Sequence, residues 1–186
     1  MDLNLLKYIE KHEWKKIAEK YSYNALVYEI SFKDCLRVAY NLAYGYELNQ
    51  ELQNYAIALL LLLRKSYPDK WEASWRNDAF LGNVISISCT DNHEKYYAYK
   101  RAYEKASPPP PSLLIAFSGC DYIPDHRFFS RDYSAQLLHK ALESGPYINA
   151  ICGLRMYYKQ KKIKSSMNIG TKSFKNINKT LCLTSP

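Results

Sequence analysis

Apolar side chains recur at three- and four-residue intervals along most of this chain, the spacing that gathers them on one face of an α-helix. Residues 2–21 carry Leu5, Leu6, Ile9, Ile17 and Tyr21 near that spacing, with Asp2 as a cap, and predict a first helix; residues 22–30 predict a short second one. The run SFKD at 31–34 reads as a capping box with Asp34 in the place of the usual Glu. Its helix puts Phe32, Leu36, Tyr40 and Ala43 on one stripe and ends near Gly45. Asn49 caps the next, which stops before Pro68; its leucine run leaves almost no polar face and predicts the centre of the fold. Asp69 then caps a helix on which Trp71 and Trp75, four apart, share a face. Residues 83–89, NVISISC, have β-branched character, but no partner strand is visible nearby, and the end of a helix is the preferred reading. Residues 92–106 place Tyr96, Tyr99 and Tyr103 on one side. Further helices start at Pro111 or Ser112, at Ser130, and after the Gly145-Pro146 break, where YINAICGLRMYYKQKK is the last.

The expected fold class is therefore all-α, with about eight or nine helices over residues 1–160 as one domain, followed by a basic tail, 161–186. An internal echo suggests how the helices pair. Lys105-Ala106 and Pro111 recur as Lys140-Ala141 and Pro146 at a constant offset of 35, so each unit is a helix, a proline-containing break and an apolar helix. A period near 35 is similar to that of TPR- and HEAT-like helical hairpins, and predicts stacked antiparallel hairpins. The glycine and tryptophan pattern of true TPR units is absent.

Charge changes the picture more than composition does. The net charge is +8, from 26 Lys and Arg against 18 Asp and Glu. Seven of the lysines, and no acid, fall between Lys159 and Pro186, which leaves residues 1–158 with 19 cations and 18 anions. The body is nearly neutral, so overall basicity is poor ground for assigning it a nucleic-acid partner. The eighteen tyrosines suit half-wet helix seams, where the ring packs and the hydroxyl finds a partner. The apolar run Ala56–Leu63 is far shorter than the roughly 20 residues of a membrane-spanning helix. The N-terminus does not read as a secretion signal, and the five cysteines form no CxxC pair, which together predict a reduced, cytoplasmic protein. Ile169, Phe174, Ile177 and Leu181 predict that the tail packs on the body or on a neighbour.

Candidate chemistry concentrates in CDYIPDHRFF, residues 120–129. Cys120, Asp121, Asp125 and His126 hold a thiol, two carboxylates and an imidazole, types that serve as nucleophile, acid, base or metal ligand. The structural reading is stronger: Asp and Pro mark a turn between helices, and Cys120 ends an apolar helix as a small buried side chain. A loop presenting Tyr122, Asp125, His126, Arg127 and Arg131 is better suited to holding a partner, because Tyr and Arg concentrate binding energy at interfaces. HEW at 12–14 is not HExxH, His139 and Glu143 form an ordinary polar pair, and neither phosphate-loop nor hydrolase-elbow motifs occur. No metal, cofactor or catalytic residue is expected.

The hairpin units EKASPPPPSLLIAFSG and HKALESGPYINAICG, on a small helical chain without catalytic motifs, resemble the helical immunity proteins of bacterial toxin–immunity pairs, including contact-dependent growth inhibition systems. The resemblance implies a non-catalytic protein that binds one secreted toxin domain and blocks its active site or substrate path. A neutral body departs from the acidity of immunity proteins that mimic nucleic acid, and implies a toxin surface that is mixed, acidic or largely apolar. Two other readings remain at this stage. The lysine-rich tail, with KQKKIK at 159–164, suits a nucleic-acid accessory protein, and Asp121, Asp125 and His126 suit an enzyme.

Overall fold

Side-chain caps start most of the described helices, and four of them, Asp2, Ser31, Asn49 and Ser130, are residues the pattern named. A computed structural model describes residues 2–46, 49–122 and 128–162, without the side chains of Asp121 and Tyr122; Asp125, His126, Arg127 and the basic tail beyond residue 162 lie outside it. Asp2 accepts from the Asn4 amide at 2.8 Å to open α1 (Leu3–Glu10). Ser31 accepts from Asp34 at 3.1 Å to open α4 (Phe32–Tyr44), and its hydroxyl donates to the Asp34 carboxylate at 2.6 Å. Asn49 caps α5 (Gln50–Ser66) through the Leu52 amide. Asp91 and Ser130 do the same for α8 (Asn92–Lys105) and α10 (Arg131–Leu142). Each such bond satisfies an orphan amide and contributes about 1 kcal/mol. All regular structure among the described residues is helical.

Two expectations need correction. The single helix over 2–21 is two, α1 and α2 (Trp14–Lys20), broken at His12, whose φ of 57° is left-handed. The physical reason is that Glu10, Lys11, His12 and Glu13 give the stripe no apolar residue for a whole turn, so nothing repays continuing it. Arg37 closes the break, donating to His12 Nε2 at 3.1 Å and lying over the Trp14 ring. Asp69 is likewise not a cap. Pro68 opens a five-residue helix α6 (Pro68–Glu72), and Ser74 caps a new one, α7 (Trp75–Ser88). Trp71 and Trp75 therefore belong to different helices and different cores. The NVISISC segment is the end of α7, closed by Cys89 in a left-handed conformation (φ 54°).

The remaining helices are α3 (Tyr23–Glu29), α9 (Pro111–Ser118), which runs into a 3-10 turn over Gly119–Tyr122, and α11, residues 148–162. Consecutive helices pair: α4 with α5, α7 with α8, α9 with α10, and these pairs stack in chain order through α5 on α7 and α8 on α9. The α5 leucines justify its central position. Leu59, Leu60 and Leu63 are wholly buried beside Ala56, each leucine contributing about 1.5–3 kcal/mol on leaving water. They belong to a first core with Leu5, Ile17, Leu26, Leu42, Trp71 and Ile85. A second core joins Tyr99, Ala102, Leu113, Phe117, Leu138, Ala150 and Leu154. Helix α8 serves both, through Ala98 on one side and Tyr99 and Ala102 on the other. The tyrosines behave as half-wet seams: the hydroxyls of Tyr55 and Tyr67 donate to the carbonyls of Tyr21 and Val27 at 2.6 and 2.9 Å.

A buried charge cluster ties α6, α7 and α8 together. Asp78 is fully buried and accepts from Trp71 Nε1 at 3.1 Å, Arg101 Nε at 2.9 Å and Lys105 Nζ at 2.6 Å. Arg101 reaches on to Glu94, which also holds Arg64 of α5, and Lys105 reaches Glu72 of α6. Burial pushes the Asp78 carboxyl up, but the hydrogen bonds from Lys105, Arg101 and Trp71 outweigh it and hold the group below the usual carboxylate range.

Candidate protein-binding face

The segment expected to bind a partner falls in sequence between the 3-10 turn that ends at Tyr122 and Phe128. Asp125, His126, Arg127 and the side chain of Tyr122 fall outside the described residues. What fixes both ends of the loop is clear. Cys120 is wholly buried in the second core, as its position after an apolar helix predicted. On the other side Phe128 stacks on Tyr96, with ring centroids 4.2 Å apart and planes 8° apart, and meets His93 edge-on. Phe129 packs edge-on against Phe117 and Tyr133. Phe128 and Phe129 are thus packed through aromatic rings against α8, α9 and α10.

Arg131 is the described member of the expected set. It stands at the start of α10, hydrogen-bonds Gln160 of α11, and lines a cleft of about 310 Å³ between α9, α10 and α11. Ile115, Leu138 and Met156 give that cleft apolar walls. Its hydroxyls turn to the backbone: Ser118 donates to the Ile115 carbonyl at 2.7 Å, and Ser134 to the Ser118 carbonyl at 2.9 Å. Neither serine hydroxyl is hydrogen-bonded to a base. Among the described residues no three His, Cys, Asp or Glu side chains converge as metal ligands would.

Helix α11 is the element the loop-centred reading passed over. Its inward face is Ala150, Leu154 and Tyr157, with Gly153 close against Leu138 of α10. Asp132 at the start of α10 takes a hydrogen bond from Tyr157 and an ion pair from Lys161 at 3.7 Å. The Tyr157 hydroxyl first, and Lys161 second, hold the Asp132 carboxyl below its ordinary value. Tyr158 bonds His139 at 3.0 Å, the partner His139 takes in place of the expected Glu143. The outward face is another matter. Ile148 is 75% exposed and Ile151 47%, followed one and two turns on by the exposed cations Arg155 and Lys159. The signal was present in the sequence: positions 148, 151, 155 and 159 share a helix face opposite 150, 154 and 157.

A further aromatic patch lies on α4 and α7. Tyr40 and Tyr44 of α4, 57% and 43% exposed, lean on each other and on Phe80 of α7.

These observations define an all-α protein whose last described helix keeps an amphipathic face in solvent. No family model, no curated protein and no solved structure matches the chain. No helix among the described residues is long and apolar enough to cross a membrane.

Proposed function

We propose that this is a non-catalytic binding protein, and specifically an immunity protein that works in the cytoplasm by binding and neutralising a cognate bacterial toxin domain. The observation that carries the reading is the set of large apolar side chains left exposed at and along α11: Ile148 and Ile151 on its outward face, with Tyr147 just before it and Met156 and Tyr158 on its flanks. Apolar side chains scattered singly are ordinary, whereas a contiguous group marks a surface that is covered in the working state. Phe128 and Phe129, held by aromatic contacts, lead into Arg131, which bonds Gln160 of the same helix. The nearest alternative, nucleic-acid binding, draws on Arg155, Lys159, Lys161 and Lys162, whose run continues into the lysines of the tail.

The test is growth protection. If the gene directly upstream encodes a large secreted protein with a variable C-terminal domain, that domain is induced in a host with and without this chain; an upstream gene of any other kind counts against the reading. Restored growth and a co-purifying one-to-one complex are expected. Arrest that is equally deep in both cultures overturns the reading. Retention of the chain on DNA or RNA at low salt, falling steeply as salt rises, would put the nucleic-acid alternative in its place.

A further inference from the structure

We infer that the outward face of α11 docks an acidic protein segment that carries an apolar edge. The inference deepens the binding reading above and rests on it, by naming the face used and the chemistry of what covers it. The face changes character along its length. Ile148 and Ile151 stand exposed at the start of the helix, and Arg155 and Lys159 continue the same stripe toward its end. No carboxylate among the described residues forms an ion pair with Arg155 or Lys159, in contrast to Lys161, which Asp132 engages. An occupant that matches this stripe places aliphatic or aromatic side chains on the isoleucines and carboxylates one to two turns further on. Apolar burial then supplies affinity, and the facing charges set register and speed of encounter.

Other occupants fit the charge less well. The chain beyond residue 162 carries Lys164, Lys172, Lys175 and Lys179 and no acid, so it brings like charge to Arg155 and Lys159. A second copy brings a nearly neutral body, 19 cations against 18 anions over residues 1–158, and a tail of like charge. A nucleic acid satisfies the cations but leaves the two isoleucines against phosphate or water, where they gain nothing.

The experiment places the photo-crosslinking residue p-benzoylphenylalanine at position 151 of the full chain in its native host, with Tyr28, 83% exposed on α3, as the remote control position. A crosslink to a protein is expected at 151 and not at 28, mapping to a carboxylate-rich segment. The double charge reversal Arg155→Glu, Lys159→Glu is expected to lower its yield about tenfold or more, because repelling charges slow encounter. All three positions are solvent-exposed, and an unchanged helical circular-dichroism spectrum checks that the fold is kept. No product at 151, a yield indifferent to the charge reversal, or a product with the chain's own tail, a second copy or a nucleic acid overturns the inference. The identity of the product separates the two claims. An acidic partner that is no toxin overturns the immunity reading and leaves the face assigned. Full growth protection by the Ile151→Asp, Arg155→Glu, Lys159→Glu variant overturns the face and leaves the immunity reading standing.

Discussion

Asp78 illustrates how much one side chain holds here. It is cut off from water, and its three donors come from α6 and α8. A buried ion pair adds little over a well-packed apolar substitute, but removing one partner strands the others. Asp78→Ala leaves Arg101 and Lys105 without their buried counter-charge, and is expected to cost about 3–5 kcal/mol in a urea or guanidinium titration. Asp78→Asn keeps the shape and a hydrogen bond from Trp71 but loses the charge, and should cost less than the alanine. The pH dependence has a definite sign. The folded pKa of Asp78 lies below the ordinary value of 3.8, so its contribution is complete above that value and is lost as pH falls through the lower, folded pKa. The stability gap between wild type and Asp78→Asn is therefore expected to hold near neutrality and to narrow below about pH 4. A gap that stays constant down to pH 3 would show that the carboxylate is not what Arg101 and Lys105 stabilise.

At the scale of elements, two close helix approaches look alike and are expected to respond differently. A Cβ on Gly82 of α7 would lie 2.8–3.0 Å from the Tyr99 ring of α8, and on Gly153 of α11 it would lie 2.8 Å from Leu138 Cδ1 of α10. Tyr99 cannot yield: it is buried, and its hydroxyl is fixed to Asn83 at 2.8 Å. Leu138 presents only a methyl on a side chain with other rotamers. Gly82→Ala should therefore destabilise by about 1–3 kcal/mol and Gly153→Ala by clearly less, read from paired thermal melts. Equal losses would mean that α10 and α11 are as rigidly packed as α7 and α8. The elements themselves were largely legible beforehand, because capping residues and three-four spacing are local: Ser31, Asn49 and Ser130 could be named without knowing any tertiary contact. What escaped depended on contacts distant in sequence. The break at His12 is held by Arg37, and Asp78 finds Arg101 and Lys105 more than twenty residues away. The expected binding loop drew attention by its density of polar types, but of that set only Arg131 can be placed by its side-chain contacts, and the more informative α11 face hid in a pattern that also reads as an ordinary amphipathic helix.

Over the whole molecule, the question is whether the two hydrophobic cores behave as one. Helix α8 argues that they do. Its Ala98 belongs to the first core, its Tyr99 and Ala102 to the second, and its Arg101 and Lys105 grip Asp78 between them. Opening either core then disturbs a helix that the other requires, which makes a state with one core melted costly. The chain carries its own reporters, since Cys35 is buried in the first core and Cys120 in the second. Burial also pushes the Cys35 thiol up to about 12, so the folded protein holds it as an unreactive thiol. With the exposed Cys89 and Cys152, and Cys182, replaced by serine, alkylation of the two remaining thiols can be followed by mass spectrometry across a denaturant series. One shared midpoint is expected for both cysteines, and Asp78→Ala is expected to lower it for both together. If Cys120 labels at a lower denaturant concentration than Cys35, the second core opens alone, and α9, α10 and α11 then form a unit that can loosen while α1–α7 stay folded. That outcome would also alter the view of the α11 face, because a docking partner would then stabilise the element it binds as well as recognise it.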